Sequence, residues 1–178
     1  MVSKYPRHIF FPRSVLPPFW IKEVQTAFAT VRSKIDTEQA GLQMESNKVL
    51  EQLRPELEKI GFEVEKGKAK IQKILRPVLF GEMGEVGVSY DIDAYHSKNQ
   101  IVFEVEAVRT IRANALYKAL IEMSLMVDAR YAAIAVPLRY QYKSGTEHPY
   151  QNALRIVDAI YTSGRLQLPF EGFLLVGY

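Results

Sequence analysis

The sequence predicts a single α/β domain in which helices flank a central mixed sheet, and three observations indicate this class. Residues 86–94 and 101–106 alternate in side-chain character on either side of a turn signal, which predicts an antiparallel hairpin. Apolar residues at spacings of three and four predict helices before and after this hairpin. The apolar run 131–136 is too short for a helix and ends at Pro137, so it predicts a buried central strand.

The first part of the chain predicts an arm, two helices and two short strands. Residues 1–18 are rich in proline, aromatic and basic residues, and we expect an irregular N-terminal arm that crosses the protein's own core. The alternatives are an arm that packs on a partner subunit or one that follows a nucleic-acid backbone. Apolar stripes predict helices over about 19–35 and about 46–60. Short strands are expected at 62–65 and 77–80, between the second helix and the hairpin.

After the hairpin, the chain predicts a long helix that begins near Thr110 and ends near residue 127. This helix is expected to bury a stripe formed by Leu116, Leu120, Met123 and Val127. A final helix around 154–161 is expected to stop at Gly164, and residues 173–176 are expected to form a closing strand.

Composition bounds the class of protein. A chain of 178 residues suits one domain with a core of its own, and the absence of cysteine excludes a disulfide framework or a cysteine-based zinc site. No apolar run is long enough to span a bilayer and no signal-peptide region is found, so we expect a cytoplasmic protein. The net charge is only +3, but residues 76–106 carry two basic and six acidic side chains, so the acids concentrate at the hairpin.

The hairpin is expected to gather four acids on one face, because successive side chains of a strand point to opposite sides. Depending on the register, either Asp91 or Asp93 lies opposite Glu104, and Glu106 lies on the same face. Like charges that face each other across a sheet destabilise it by up to about 1 kcal/mol per pair. A divalent cation would offset this cost, since carboxylate oxygens are the ligands that Mg²⁺ and Mn²⁺ prefer. The alternative is a solvated strand face that carries acids.

The hairpin also resembles a known motif. Asp-Ile-Asp at 91–93, a short turn, and Ile-Val-Phe-Glu-Val-Glu at 101–106 resemble the core of the PD-(D/E)xK nuclease superfamily, which has the restriction-endonuclease-like fold. In that motif an acid on one strand and an acid on the next are followed, two residues later, by a lysine. Asp93 matches the first acid, Glu104 the second, and Glu106 stands at the lysine position. The variant with Glu is similar to some type II restriction enzymes, which carry Glu or Gln there.

The resemblance covers about residues 45–137 and implies an αβββαβ core within a single nuclease-like domain, 1–178. It implies a Mg²⁺-dependent endonuclease, with Mn²⁺ as a substitute ion, that hydrolyses phosphodiester bonds of double-stranded DNA. It also implies a homodimer, because cutting both strands of a duplex needs two sites.

The resemblance assigns roles to three of the acids. Asp93 and Glu104 are expected to hold the metal. Asp91 has no fixed counterpart in the motif and is expected to help hold the metal or a water beside it. Glu106 is expected to orient the attacking water or accept its proton, or to hold a second metal.

Basic and aromatic residues around these strands are expected to contact DNA. One set lies at the start of the long helix, and the other lies in the segment 138–150, where tyrosines suit stacking on bases. The expected DNA-binding residues are Arg109, Arg112, Lys118, Arg139, Tyr140, Tyr142 and Lys143. Alternatively, the first set only neutralises the acids and the second lies in an ordinary loop or interface. The basic run 66–73 is expected to be a solvated face.

Two other functions stay open on the sequence alone. One is a nucleic-acid-binding or assembly subunit that keeps this fold without cleaving, which the missing lysine favours. The other is an α/β interaction protein whose acids merely face solvent. The sequence also does not choose between DNA and RNA, nor does it say whether an acid of the helix 46–60 (Glu51, Glu56 or Glu58) joins the acidic cluster.

Overall fold

The structure is a computed structural model that describes residues 5–38, 43–107, 114–143 and 145–178. The strands in these ranges are β1 (Arg7–Phe11), β2 (Glu63–Val64), β3 (Ile74–Phe80), β4 (Val86–Ile92), β5 (Ala94–His96), β6 (Ile101–Val105), β7 (Tyr131–Val136), β8 (Tyr140–Tyr142), β9 (Gly145–Glu147) and β10 (Gly172–Gly177). The α-helices are α1 (Trp20–Thr30), α2 (Arg32–Ile35), α3 (Ser46–Lys59), α4 (Ala115–Leu125) and α5 (Pro149–Ser163).

Six of the strands form one mixed sheet in the order β1, β10, β7, β6, β5, β2. The three central strands β10, β7 and β6 run parallel, and β5 is antiparallel to both β6 and β2. Strand β2 therefore runs in the same direction as β6 and β7, so all three end at the same edge of the sheet. We call this edge, where β2, β6 and β7 end, the carboxyl edge.

Helices cover both faces of the sheet, because alternate residues of each central strand point to opposite sides. On β6, Phe103 and Val105 pack in one core with residues of α1, α2 and α3. Val102 of the same strand packs in a second core with residues of α4 and α5. The arrangement confirms the predicted class, a mixed sheet flanked by helices.

The helices follow the predicted stripes with two differences. The helix expected over 19–35 is divided at Val31, although its apolar stripe is buried throughout. Helix α4 ends at Leu125 and Met126 is extended, so Val127 leaves the buried stripe and is 57% exposed, contrary to prediction. Thr110, near which this helix was expected to begin, lies outside the described residues. Within the described ranges, no helix is both long and apolar enough to cross a membrane.

The predicted hairpin forms only in its inner part. Strand β5 pairs with β6, with Ala94 opposite Phe103, whereas β4 pairs with β3 in a separate two-stranded sheet. The β5–β6 pairing stops at Asp93. Its carboxylate accepts a hydrogen bond from the Val105 N–H, which takes the place of the next main-chain hydrogen bond between the two strands. The chain before Asp93 turns away, and Val86 at the start of β4 is 54% exposed.

Two segments expected to be irregular contain strands. The predicted N-terminal arm includes β1, which is an outermost strand of the sheet and pairs antiparallel with β10. The segment 138–150 includes the short hairpin β8–β9, which follows β7 at the carboxyl edge. In both cases the sequence lacks a long alternating pattern, since β1 is only five residues long and β8 and β9 only three each.

Candidate active site

Asp93 is held by main-chain groups from two neighbouring strands. Its carbonyl oxygen accepts a hydrogen bond from the Glu65 N–H at 2.8 Å, immediately after β2. Its carboxylate Oδ2 accepts a hydrogen bond from the Val105 N–H of β6, also at 2.8 Å. Continuing the register of β5 and β6 places Asp93 opposite Glu104, which is one of the two registers left open by the sequence. The carboxylate therefore has a defined orientation beside β6.

Glu104 and Glu106 lie two residues apart at the end of β6 and so emerge on the same side of it. The Glu106 N–H donates to the Ala135 carbonyl oxygen of β7 at 2.8 Å, so the main chain stays in register one residue past the strand. The Tyr178 hydroxyl donates to the Glu106 carbonyl oxygen at 2.9 Å. These contacts fix Glu106 although it lies beyond the last residue of β6.

The acids of the predicted cluster lie around one cavity of about 120 Å³. The cavity is lined by Asp91, Asp93, Glu104 and Glu106, with Ile92 beside them and with Lys118, Ala119 and Glu122 of α4. Lys118 forms an ion pair with Glu122, at 3.3 Å, and its side chain is 73% exposed. The cavity thus joins strands and α4 at the carboxyl edge, and acids dominate its walls.

Burial of these acids shifts their protonation towards the neutral form. Burial, reinforced by the charge of Asp93, raises the pKa of Glu106 to about 7. Burial also raises the pKa of Asp93 to about 6, although the Val105 N–H favours its charged form. The pKa of Glu104 is raised well above its ordinary value by burial and by the charges of Asp93 and Glu106. The cluster therefore holds protons at pH values where isolated carboxyl groups are ionised.

Asp91 differs from the other three acids because a lysine neutralises it. The Lys73 Nζ lies 2.8 Å from Asp91 Oδ2 and 3.0 Å from Glu65 Oε2. The hydrogen bond from Lys73 lowers the pKa of Asp91. Asp91 stands at the mouth of the cavity with its side chain 57% exposed, whereas the Glu65 side chain is only 7% exposed. Lys73 therefore joins a buried acid to the rim of the cavity.

Glu65, Lys73 and Glu122 were missed by reasoning from the sequence. Glu65 follows a strand of only two residues, and no local pattern shows that this strand pairs with β5 beside Asp93. Lys73 looked like one more member of a basic run, because its partners lie eight and eighteen residues away. The position of Glu122 one turn after Lys118 is a signal that could have placed it beside the acids.

The other expected site residues have separate locations. No acid of α3 lines the cavity; Glu65, which follows that helix, lies near it instead. Of the expected DNA-binding residues, Arg109 and Arg112 lie outside the described residues, and Lys118 lines the cavity. Arg139 and Tyr140 to Lys143 lie on or beside β8 at the carboxyl edge, where the Tyr140 and Tyr142 rings meet edge to face, 4.5 Å between centroids.

The donor atoms at the cavity suit a hard cation, because carboxylate oxygens are the ligands that Mg²⁺ and Mn²⁺ prefer. A cation would also favour the charged form of these acids, whose pKa values are raised by burial and by mutual repulsion. Among the described residues, however, no three histidine, aspartate or glutamate side chains are grouped as ligands of one ion.

The fold belongs to the restriction-endonuclease-like structural class, as the motif predicted. Two solved structures of the restriction endonuclease BglII are similar to this chain. In the complex of BglII with a DNA 16-mer the TM-score is 0.53 at 13% identity, covering 97% of this chain and 75% of that one. For free BglII the TM-score is 0.50 at 13% identity, with 97% and 78% covered. No family model and no curated protein matches the sequence.

Proposed function

We propose that this protein is a Mg²⁺-dependent endonuclease that hydrolyses phosphodiester bonds in double-stranded DNA, in the manner of a type II restriction enzyme. The observation that carries the proposal is the meeting of Asp93, Glu104 and Glu106 in one cavity at the carboxyl edge of a restriction-endonuclease-like sheet. The DNA substrate is supported by the fold neighbour, which was solved with bound DNA. Similarity of fold alone does not establish an activity, so the proposal depends on the acidic residues of the cavity.

Each acid has a role that fits its surroundings. Asp93 and Glu104 would hold the Mg²⁺, with Asp91 at the cavity mouth as a further ligand. Bound there, the ion would polarise a phosphate and lower the pKa of a water molecule. Glu106, with a pKa of about 7, can accept the proton that the attacking water loses. Lys118 of α4, which lines the cavity, would contact the phosphate that enters it.

A homodimer is part of the proposal, and α4 offers a surface for it. Tyr117, Ile121 and Leu125 form an apolar stripe that is 46%, 62% and 46% exposed, on the side of α4 away from its buried residues. The stripe is symmetric about Ile121, so two antiparallel copies would pair each Tyr117 with the other copy's Leu125. A two-fold interface requires such self-complementarity. The same helix lines the cavity, so the pairing would bring two sites together.

The second candidate is a nucleic-acid-binding or assembly subunit that does not cleave. Glu106 at the position of the motif lysine is the observation that favours it. The third function is an interaction protein whose acids face solvent. Burial raises the pKa values of Asp93, Glu104 and Glu106, which argues against this function.

The deciding experiment is incubation of the purified protein with supercoiled plasmid and long linear DNA in Mg²⁺, Mn²⁺ or EDTA. We expect discrete fragments that require the metal and that Asp93→Ala no longer produces. Absence of cutting under every metal, together with a gel shift on the same DNA, would establish the non-cleaving subunit. Parallel reactions with duplex RNA separate the two kinds of nucleic acid.

A further inference from the structure

We infer that the loop of residues 66–70, which carries Lys66, Lys68 and Lys70, is a binding surface for the phosphate backbone of duplex DNA. This loop follows β2 and was expected from the sequence to be only a solvated face. The inference deepens the proposed function by assigning a DNA contact beside the acidic cavity, and its link to cleavage rests on that function.

The topology of the sheet places the loop beside the cavity. Strands β2, β6 and β7 run in the same direction, so the segments that follow them emerge at the carboxyl edge. After β6 come the acids Glu104 and Glu106, and after β7 comes the hairpin β8–β9 with Arg139 and Lys143. After β2 comes the lysine loop. Because β6 lies between β7 and β2 in the sheet, the acids have basic segments on both sides.

Direct contacts fix this placement. The Glu65 N–H, next to the loop, donates to the Asp93 carbonyl oxygen at 2.8 Å. Three residues after the loop, Lys73 forms an ion pair with Asp91 at 2.8 Å, and Asp91 lines the cavity. The residues that flank the loop are therefore bonded to acids of the site.

The loop has its own internal order. The Lys66 N–H donates to the Gln72 carbonyl oxygen at 3.1 Å, and the Gln72 N–H donates to the Ala69 carbonyl oxygen at 2.8 Å. A turn closed in this way presents its side chains from a defined backbone, which reduces the conformational entropy that binding costs.

The three lysines are exposed and, within the described residues, none lies within ion-pair distance of a carboxylate. Lys73, by contrast, is engaged by two acids. A group of uncompensated positive charges beside an acidic cavity suits a polyanion, since the lysines would meet phosphates to one side of the bond that enters the cavity. Duplex DNA is the partner that fits both the row of charges and the proposed substrate.

The test is the salt dependence of DNA binding, measured by fluorescence anisotropy with a labelled duplex in EDTA so that cleavage cannot interfere. The test variant is Lys66→Gln/Lys68→Gln/Lys70→Gln. A matched control is Lys22→Gln/Lys98→Gln/Arg165→Gln. It removes the same charge from exposed positions near the end of the sheet opposite the carboxyl edge. Thermal unfolding of both variants verifies that they fold.

Each phosphate contact contributes about −0.9 to the slope of log K against log salt. We expect the loop variant to lose about 2 to 3 units of slope and to bind at least about tenfold more weakly near physiological salt, with the control close to the unmutated protein. Equal losses in both variants, or an unchanged slope in the loop variant, would overturn the inference. Absence of duplex binding by the unmutated protein would overturn it as well.

These outcomes are separate from those of the proposed function. A protein that binds DNA through the loop but never cuts it would refute the nuclease and leave the loop surface established. A protein that cuts DNA while the loop variant keeps its full affinity and slope would establish the nuclease and refute the loop surface.

Discussion

The Nζ atom of Lys73 lies 3.0 Å from the Oε2 atom of Glu65, a carboxylate whose side chain is only 7% exposed. A buried charge is tolerated when a partner compensates it, and removing the partner is more damaging than removing both. Lys73 also holds Asp91, so this one ammonium group ties the β3–β4 sheet to the central sheet at the cavity.

Lys73→Met should therefore lower the free energy of unfolding by about 2 kcal/mol, less than for a fully buried pair because Lys73 is 26% exposed. The double variant Glu65→Gln/Lys73→Met should recover most of this loss in urea unfolding, since it leaves no unpaired charge. The control is Lys59→Met, whose pair with Glu56 involves a 67% exposed lysine and should contribute no more than about 0.5 kcal/mol. Equal effects of the two single variants would contradict the expectation.

Glu106→Gln should reduce DNA cleavage by about 10²- to 10⁴-fold while the protein still binds DNA in EDTA. The amide keeps the shape of the side chain but cannot accept a proton from water. Single-turnover cleavage with the variant in excess over DNA measures the loss, and anisotropy in EDTA measures the binding. Cleavage within a fewfold of the unmutated rate would show that Glu106 does not accept the proton.

The raised pKa values predict a stability that falls as pH rises. Glu106 has a folded-state pKa of about 7 and Asp93 of about 6, above the value of about 4 expected for unfolded carboxyl groups. The native state therefore binds more protons than the unfolded state between these values, and the cluster destabilises the fold progressively from about pH 4 to about pH 7.

The free energy of unfolding, measured in urea, should be lower at pH 8 than at pH 5.5. In Glu106→Gln this decrease should be smaller by on the order of 2 kcal/mol, because the amide never ionises. Glu45→Gln, at an exposed acid before α3, is the control and should leave the decline unchanged. If Glu106→Gln leaves the decline as steep as before, the cluster does not cause it.

A divalent cation should reverse part of that destabilisation at pH 8. An ion that binds only the native state at a hundred times its dissociation constant stabilises it by about 2.7 kcal/mol. We expect Mg²⁺ or Mn²⁺ to raise the melting temperature, EDTA to return it, and Glu104→Ala to abolish the shift. The affinity for Mn²⁺ by calorimetry should rise from pH 6 to pH 8, since the ligands must lose protons. The same thermal shift in Glu104→Ala would exclude this cavity as the metal site.

Ile121→Gln should weaken the homodimer, because it places a polar group at the centre of the two-fold contact proposed for α4. Light scattering after size-exclusion chromatography should report a dimer for the unmutated protein and a monomer for the variant at micromolar concentration. The control is Leu16→Gln, which should remain dimeric. Leu16 is 89% exposed and lies near the end of the sheet opposite the carboxyl edge. A dimer that survives Ile121→Gln would place the subunit contact elsewhere.

The sequence by itself determined the features that depend on near neighbours in the chain. The alternation around Phe103 to Glu106 and the apolar stripes of α1, α3 and α4 follow from periods of two and about 3.6 residues, which are local properties. For the same reason, the placement of Glu104 and Glu106 on one side of β6 could be predicted.

Only the tertiary structure decided which strands pair and which distant side chains meet. Strand β4 leaves β6 for β3 because the Asp93 carboxylate takes the Val105 N–H, a competition between side chain and main chain that no periodicity encodes. Glu65 reaches Asp93 through β2, and Lys118 reaches the cavity through α4. A repeating pattern predicts which face of a helix or strand is apolar, but it does not specify which other element packs against that face. Contacts between residues far apart in the chain depend on this packing.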